Sequence, residues 1–141
     1  MRIRATTFWK KPRLICTLLS HLVTLDPTIL FKRHELYVLE DRKKVYGFIA
    51  LKYHSNALVE RGSLYVYPHH RNKGYGKKLM KYVIKNHKNV YVLCKSEDKK
   101  LKEKQGFQLV KKAPFPLAWR RAFYNNYLRP LTGQTIIAMK K

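Results

Sequence analysis

Cysteine and acidic residues are scarce in this chain. Cys16 and Cys94 are the only cysteines among 141 residues, and their spacing is typical of neither a zinc site nor a disulfide framework. We therefore expect a reduced, intracellular protein. Eight residues are Asp or Glu against 31 Lys and Arg, so the formal net charge is +23. Such a charge indicates an anionic partner, namely nucleic acid, a cofactor phosphate or an acidic protein, unless the lysines only form a solvated surface.

Long apolar runs are also missing, and none of those present is long enough to span a bilayer. The N-terminal segment begins with basic residues and an apolar run at 14–19, as a signal peptide does. Ser20 and His21 interrupt that run, however, and no small-residue cleavage site follows. Apolar residues recur at helical spacing between Leu14 and Val23, which predicts an amphipathic helix. We therefore expect a cytoplasmic protein with no membrane partner.

The residues that are present suffice for one folded domain. Hydrophobic residues make up 45% and aromatic residues 13% of the chain, which argues against disorder, and the length suits a single domain over residues 1–141. Strands are predicted at 2–8, 35–40, 45–53, 57–67, 89–94, from 107 and at 135–139, and helices at 14–23, 74–87, 96–106 and 117–128. This order indicates a mixed α/β sheet with helices on both faces.

The segment from Ser63 to Leu79 is typical of a strand, a basic loop and the start of a helix. Pro68 ends the strand because it has no N–H to donate. Gly74 and Gly76 permit backbone angles that a side chain would forbid, and they let a ligand approach bare amides. The free N–H groups and the positive dipole end of the helix face this loop, so a phosphate site is predicted. The residues fit neither a P-loop nor the Gly-x-Gly-x-x-Gly dinucleotide pattern, because position 78 is Lys and position 79 is Leu.

Two stretches resemble the GNAT superfamily of acyl-CoA-dependent N-acyltransferases. The first is an Arg-x-x-Gly-x-Gly loop after a strand, and the residues that fall where the family puts them are Val66, Pro68, Arg71, Gly74, Gly76 and Leu79. The second is Leu-Lys-Glu-Lys-Gln-Gly-Phe at 101–107, which is similar to the family's Leu-Tyr-Glu-Lys-x-Gly-Phe. Together the two matches cover roughly residues 57–112.

The resemblance implies a fold and an activity. The expected fold is a mixed, mostly antiparallel sheet of six or seven strands with helices on both faces. The expected activity is transfer of an acetyl group from acetyl-CoA to a primary amine by direct attack. The identity of the acceptor does not follow from the motifs.

The resemblance also implies which residues bind the coenzyme. Backbone N–H groups of the loop would hold the pyrophosphate with help from basic side chains, and the end of the preceding strand would bond to the pantetheine arm. The expected coenzyme-binding residues are Tyr65, Val66, Arg71, Asn72, Lys73, Gly74, Tyr75, Gly76, Lys77 and Lys102. Lys102 occupies the position where the family often has a tyrosine that protonates the leaving thiolate, so we expect this lysine near the coenzyme phosphates instead.

Glu60 is the candidate catalytic base. It lies six residues before Val66 on the same predicted strand, where many family members place a glutamate. An amine attacks a thioester only when it is neutral, so a carboxylate must take its proton directly or through water. The alternative is a surface glutamate paired with Arg61 or a lysine. Ser96 is the candidate for the acid that protonates the thiolate, with Tyr91 or water as alternatives.

Several other residues with reactive or binding side chains have a structural interpretation. His69 and His70 lack a surrounding set of metal ligands and are expected to be loop histidines beside the phosphate site. Cys94 is expected in the core rather than as a nucleophile. Aromatic and arginine residues interleave from Trp119 to Arg129, as on a base-stacking surface, but an amphipathic helix covering the sheet explains them as well.

The net charge leaves two questions open. One is the acceptor: an amine on an anionic molecule, such as charged tRNA, a nucleic-acid base or a nucleic-acid-bound protein, suits the charge better than a polyamine does. The other is an alternative function, a basic nucleic-acid-binding module that keeps the fold without catalysis.

Overall fold

The computed structural model describes residues 1–6, 10, 16, 34–42, 44–55 and 58–141, with only the backbone of Ser55. Apart from Cys16, the predicted helix at 14–23 lies outside the described residues. Among the described residues, no helix combines the length and the apolar character needed to cross a membrane.

Within these residues seven strands form one sheet. The strands are β1 (Arg2–Thr6), β2 (His34–Asp41), β3 (Lys44–Ser55), β4 (Leu58–Val66), β5 (Val90–Lys95), β6 (Gln108–Leu109) and β7 (Ile136–Lys140). Their order in the sheet is β1-β2-β3-β4-β5-β7-β6. The pairs β1/β2, β2/β3, β5/β7 and β6/β7 are antiparallel. The predicted sheet of six or seven mostly antiparallel strands is therefore confirmed.

The described helical segments follow the strands in chain order. They are a 3-10 turn (Pro68–His70), α1 (Tyr75–Asn86), a second 3-10 turn (Ser96–Asp98), α2 (Lys99–Lys104), α3 (Phe115–Phe123), a π-helical turn (Tyr124–Leu128) and α4 (Arg129–Thr132). The last three segments are continuous in sequence. The predicted helices at 74–87 and 96–106 agree with these bounds to within a few residues.

The chain forms two compact units, and neither is a continuous stretch of sequence. The first comprises Met1–Tyr53 and Arg61–His87. In its core, buried side chains of β2 and β3 (Leu36, Val38, Phe48 and Ala50) cluster with Tyr65 of β4. Helix α1 packs on β2 and buries Leu79, Met80 and Val83. The single-domain organisation expected over 1–141 stays a prediction.

The second unit comprises His54–Glu60 and Lys88–Lys141. Strands β5, β6 and β7 pair within it, and α3 packs on β7 with Leu117 fully buried. Cys94 is buried on β5 with its Sγ 3.9 Å from Sδ of Met139. The thiol therefore belongs to the core, as expected.

Two details of the helix ends differ from the prediction. A serine directly after β5 predicts an N-cap for the helix that follows, but Lys95 precedes the 3-10 turn and Ser96 is its first residue. The Ser96 N–H donates to the Thr135 carbonyl at 2.8 Å instead. Pro130 and Gly133 together predict the end of the C-terminal helix. The helical run nevertheless passes Pro130 and continues to Thr132, where Gly133, with a φ of 67°, ends it. Pro130 lies in the first turn of α4, where its missing N–H costs no hydrogen bond.

Candidate active site

The candidate coenzyme loop, residues 71–77, begins after β4 ends at Val66. The Tyr67 N–H donates to the Tyr46 carbonyl at 3.1 Å, and the chain then enters the 3-10 turn in which the Arg71 N–H donates to the Pro68 carbonyl, also at 3.1 Å. Asn72 adopts a positive φ of 61° and Gly74 one of 75°. These two left-handed residues turn the chain sharply into α1.

Gly74 is the N-cap of α1, and no side chain of the described residues caps this helix end. The first N–H groups of a helix have no partner within it, and they carry the positive end of its dipole. A Cβ added at Gly74 would meet no atom of the described residues within 4 Å, so within the described part of the chain the space at this position is open. The loop residues therefore fit a diphosphate group. Lys73 and Lys77 are exposed beside it.

Gly76 differs from the expectation that both glycines supply special backbone angles. It lies inside α1, and its φ is not among the positive values. A Cβ there would sit 3.7 Å from Cγ2 of Val66 and 3.8 Å from Cδ2 of Leu64, which is ordinary van der Waals contact. The expectation is right for Gly74 and wrong for Gly76, because an α-helical residue needs no glycine.

The end of β4 holds the side chain of Arg71. Its Nε donates to the Val66 carbonyl at 3.1 Å, and its Cζ lies 5.8 Å from the centre of the buried Tyr65 ring. Tyr65 in turn stacks on Phe48, with ring centres 5.7 Å apart. Because a guanidinium has five N–H donors, the bond to Val66 leaves four for an anion.

Aromatic rings support the other side of the loop. The His70 ring meets Tyr46 edge-on at 4.8 Å between centres, and Tyr75 lies 5.3 Å from Tyr46. Desolvation and then the positive charges of Lys44 and Lys73 lower the pKa of His70. His70 is therefore neutral at neutral pH. No group of three metal-ligating side chains occurs among the described residues.

Glu60 lies in the second unit and is only 3% exposed. Arg120 Nη1 donates to both of its oxygens, at 2.7 Å to Oε1 and 2.5 Å to Oε2. Nε2 of His54 lies 2.7 Å from Oε2. The alternative of a surface glutamate is wrong, because the carboxylate is buried against a guanidinium and an imidazole.

In the cluster of His54, Glu60 and Arg120, the carboxylate and the imidazole have different chemical roles. A guanidinium that contacts both oxygens favours the ionised carboxylate. An ionised carboxylate only accepts hydrogen bonds, so Nε2 of His54 carries the proton and Nδ1 keeps the lone pair when the ring is neutral. The cluster therefore holds an imidazole in one tautomer beside a fixed negative charge.

The sequence prediction missed His54 and Arg120. His54 was assigned to a turn, although a histidine and a glutamate on either side of a predicted hairpin turn are a usable signal. Arg120 lies 60 positions from Glu60, and it was counted only among the arginines of an amphipathic helix. No local pattern connects the two.

A profile of the Acetyltransferase (GNAT) domain matches residues 32–109, which is more than half of the chain. The chain belongs to the GNAT acetyltransferase family. No curated protein matched this acetyltransferase in a direct sequence comparison. Family membership shows acetyl transfer from acetyl-CoA to an amine and gives no support to the non-catalytic nucleic-acid-binding module.

Solved structures show the same fold. Rv2747 from Mycobacterium tuberculosis in complex with CoA gives a TM-score of 0.66 at 17% identity over 99% of this chain and 98% of that one. A GNAT family acetyltransferase from Elizabethkingia anophelis with acetyl-CoA bound gives 0.61 at 20% identity over 99% and 95%. N-acetylglutamate synthase from Neisseria gonorrhoeae, complexed with coenzyme A and L-arginine, gives 0.66 at 22% identity over 97% of this chain and 32% of that one.

Ser96 and Lys102 of this acetyltransferase both lie in the second unit. Ser96 is exposed directly after β5. Lys102 is buried in α2, which is unusual for a lysine, and its carbonyl accepts the N–H groups of Gln105 and Phe107, each at 3.0 Å. Gly106, with a φ of 83°, completes this helix end as predicted. The roles assigned to Ser96 and Lys102 stay predictions.

A second polar cluster lies in the first unit. The hydroxyls of Tyr37 and Tyr53 both donate to Oε2 of Glu35, at 2.8 and 2.5 Å, and the Tyr37 hydroxyl lies 3.1 Å from Nε2 of His87. Burial and, after it, the hydrogen bond to Glu35 and its charge raise the pKa of both tyrosines well above the ordinary value. The two hydroxyls therefore stay protonated and serve as donors.

Proposed function

We propose that residues 71–77 bind the diphosphate of acetyl-CoA and that His54, Glu60 and Arg120 form the proton-transfer site for the acceptor amine. The observation that carries the coenzyme assignment is the uncapped end of α1 at Gly74, which faces open space. A helix end of this kind is an anion site because its N–H groups point outward and its dipole is positive there.

The coenzyme supplies the acetyl group as a thioester. Its expected contacts are the N–H groups of the first turn of α1, at Tyr75, Gly76 and Lys77, and the charges of Arg71 and Lys73. Asn72 contributes by its left-handed backbone, which aims the loop into the helix. The backbone of Tyr65 and Val66 is proposed to bond to the pantetheine arm, and Lys102 to neutralise phosphate charge.

The acceptor amine must lose a proton before it attacks. We assign this step to Nδ1 of His54, since a neutral imidazole is a base in the neutral pH range. Glu60 orients the ring through Nε2 and stabilises the imidazolium that forms, while Arg120 keeps Glu60 ionised. Glu60 thus acts through His54, which revises the role expected from the sequence. Ser96 is proposed to pass a proton from water to the leaving thiolate, giving up its own hydroxyl proton as it takes one from the water.

The net charge of +23 favours an acceptor amine carried by an anionic molecule. A small polycation is repelled by a surface of this charge, whereas a nucleic acid or an acidic protein is attracted. A free-thiol assay on RNA-linked amines, acidic peptides and spermidine tests this preference. Higher turnover on spermidine than on either anionic acceptor would contradict it.

Thermal unfolding with and without acetyl-CoA tests the coenzyme site. The coenzyme binds only the folded protein and therefore raises the Tm of the wild type. Gly74→Trp fills the open space before the helix and is expected to abolish that rise. Gly133→Trp is the matched control, because Gly133 also has a positive φ and its Cβ position has no atom within 4 Å in the part of the chain that the structure describes. Equal rises in both variants would exclude the loop as the coenzyme site.

Gly76→Ala separates ligand binding from folding. Because Gly76 is helical and its Cβ would clash with nothing, alanine is expected to stabilise the free protein by about 0.5–1 kcal/mol. Coenzyme affinity is nevertheless expected to fall, since a methyl group would cover amides that the diphosphate approaches. Urea unfolding and isothermal titration measure the two quantities. Unchanged affinity would show that the coenzyme keeps away from this residue.

A further inference from the structure

A row of exposed apolar side chains follows one face of the C-terminal helical run. Its members recur at every fourth position, and each is between 43% and 82% exposed: Phe115, Trp119, Phe123, Tyr127 and Leu131. We call these five residues the outer row. The opposite face is anchored in the second unit by the fully buried Leu117 and by Asn125, whose side chain bonds to the backbone of Ile136.

The π-helical turn keeps the side chains of the outer row on one side of the helical run. Residues four apart in an α-helix are rotated by about 400°, so a row at this spacing drifts about 40° per step. The π turn over Tyr124–Leu128 is wider and rotates less per residue, which reduces the drift. The row extends over about 24 Å from Phe115 to Leu131. The row therefore lies along one side of the helical run, and its central members Trp119, Phe123 and Tyr127 contact one another.

The chain around the outer row is purely basic. After Glu103 no Asp or Glu occurs up to Lys141, while eight Lys and Arg do. Among them Lys111, Lys112 and Arg129 are exposed. An apolar row with Trp and Phe, in a stretch of chain that carries cations and no acid, has the composition of helices that lie in the interface of an anionic membrane.

Charge and ring geometry distinguish three partners for the outer row: a second copy of the chain, a single-stranded nucleic acid and a lipid surface. A second copy would bring two chains of +23 together, which their mutual repulsion opposes. Single-stranded nucleic acid needs open ring faces, but Trp119 and Phe123 stack on each other at 5.8 Å with 22° between planes, and Phe123 lies 5.2 Å from Tyr127. Leu131 has no ring at all. An anionic lipid surface satisfies both the apolar row and the charge.

We propose that the outer row binds anionic lipid surfaces, with its side chains among the acyl-chain ends and the basic residues on the headgroups. The expectation of no membrane partner rested on the absence of a spanning segment, and a helix lying in the surface escapes that criterion. This inference is independent of the proposed coenzyme and proton-transfer residues.

Vesicle binding tests the proposal. The full chain is mixed with vesicles of phosphatidylcholine alone or with roughly one third phosphatidylglycerol, and bound protein is measured by co-sedimentation. We expect binding to the anionic vesicles only, weakened by salt. In a Trp9→Phe background Trp119 is the remaining tryptophan, and its emission is expected to shift to shorter wavelength on binding.

Two double variants supply the comparison. Phe115→Gln with Leu131→Gln changes the two most exposed members of the row, both 82% exposed, and is expected to lower vesicle affinity at least about tenfold. Leu101→Gln with Leu109→Gln makes matched changes at sites that are 53% and 48% exposed outside the row, and should bind as the wild type does. Circular dichroism confirms that both variants are folded.

Three results would overturn the proposal. The first is equal loss, or no loss, of vesicle binding in the two double variants, since charge alone would then explain binding. The second is a dimer that the row variant converts to a monomer while vesicle binding is unchanged. The third is loss of single-stranded RNA binding in the row variant, again with vesicle binding unchanged.

Discussion

The Glu60 carboxylate has two partners with opposite effects on its use as a base. Arg120 contacts both oxygens and stabilises the charged form, so Glu60 accepts a proton less readily than a lone buried carboxylate would. His54 contacts Oε2, so the same negative charge stabilises the imidazolium that forms when this ring accepts a proton. In the proposed proton-transfer site, the base and the group that orients it are therefore different side chains.

Substitution of His54 and Glu60 tests this division of roles. His54→Gln is expected to lower kcat/KM by about 10²–10⁴-fold and to remove the acid limb of its pH profile, because the titrating base is gone. Glu60→Gln is expected to lower kcat/KM as well but to keep the acid limb, because the base is still present while the group that orients it is lost. Added imidazole should partly restore His54→Ala. An acid limb that persists in His54→Gln would place the base elsewhere.

Tyr37 and Tyr53 are expected to resist ionisation. Burial and Glu35 raise the pKa of both above the ordinary value of 10.0. The stability that they contribute is therefore fully present below pH 10 and is lost as the pH rises beyond it. Absorbance at alkaline pH should show fewer than ten tyrosines titrating near pH 10 in the native protein and all ten in urea. Tyr53→Phe should leave the native titration near pH 10 unchanged.

At the scale of elements, the strands, helix ends and turns that depend on local residue chemistry could be predicted from the sequence. Consecutive apolar residues define β2 and β3, whose central side chains are all buried, and Pro68, Gly74 and Gly106 mark the ends of neighbouring elements by backbone preference alone. The loop around Gly74 was predictable for the same reason, since its φ of 75° favours a residue without a side chain. The described strands after β1 all lie where apolar patterning placed them.

The features that could not be predicted from the sequence depend mostly on contacts between residues that are far apart in the chain. Arg120 reaches Glu60 only because α3 packs within the second unit, and no pattern within a helix reveals such a pairing. The role of Gly76 was misjudged because a glycine in sequence does not show whether its φ is positive. Pro130 was taken as a helix end because the π turn before it, which restarts the hydrogen bonding, has no simple sequence signal.

The close approach of β3 and β4 leads to a prediction at the scale of elements. A Cβ at Gly47 would lie 2.5 Å from the Tyr65 carbonyl oxygen, a clash with backbone, whereas one at Gly62 would lie 3.3 Å from the Ala50 carbonyl oxygen. Gly47→Ala is therefore expected to cost about 1–3 kcal/mol of unfolding free energy, and Gly62→Ala clearly less. Urea unfolding of both variants measures the difference. Equal costs would show that β4 shifts freely away from β3.

At the scale of the whole molecule, the salt concentration sets the distance over which the net positive charge attracts anions. Eight acids cannot balance 31 Lys and Arg, so the protein attracts anions from a distance at low ionic strength. Near neutral pH and physiological salt the Debye length is about 8 Å, against about 30 Å at 0.01 M. General attraction and local binding can therefore be separated by salt.

Two lysines on α1 allow that separation, because both are exposed and they lie about 12 Å apart along the helix. At low salt Lys77→Gln and Lys85→Gln should both slow association of acetyl-CoA, since the field of the whole protein is felt at either position. At physiological salt only Lys77→Gln should still weaken binding, because Lys85 then lies beyond the Debye length from the loop. Stopped-flow association and equilibrium titration at both salt concentrations provide the measurement. If the two variants weaken binding equally at physiological salt, the charge of Lys77 has no local role in holding the coenzyme.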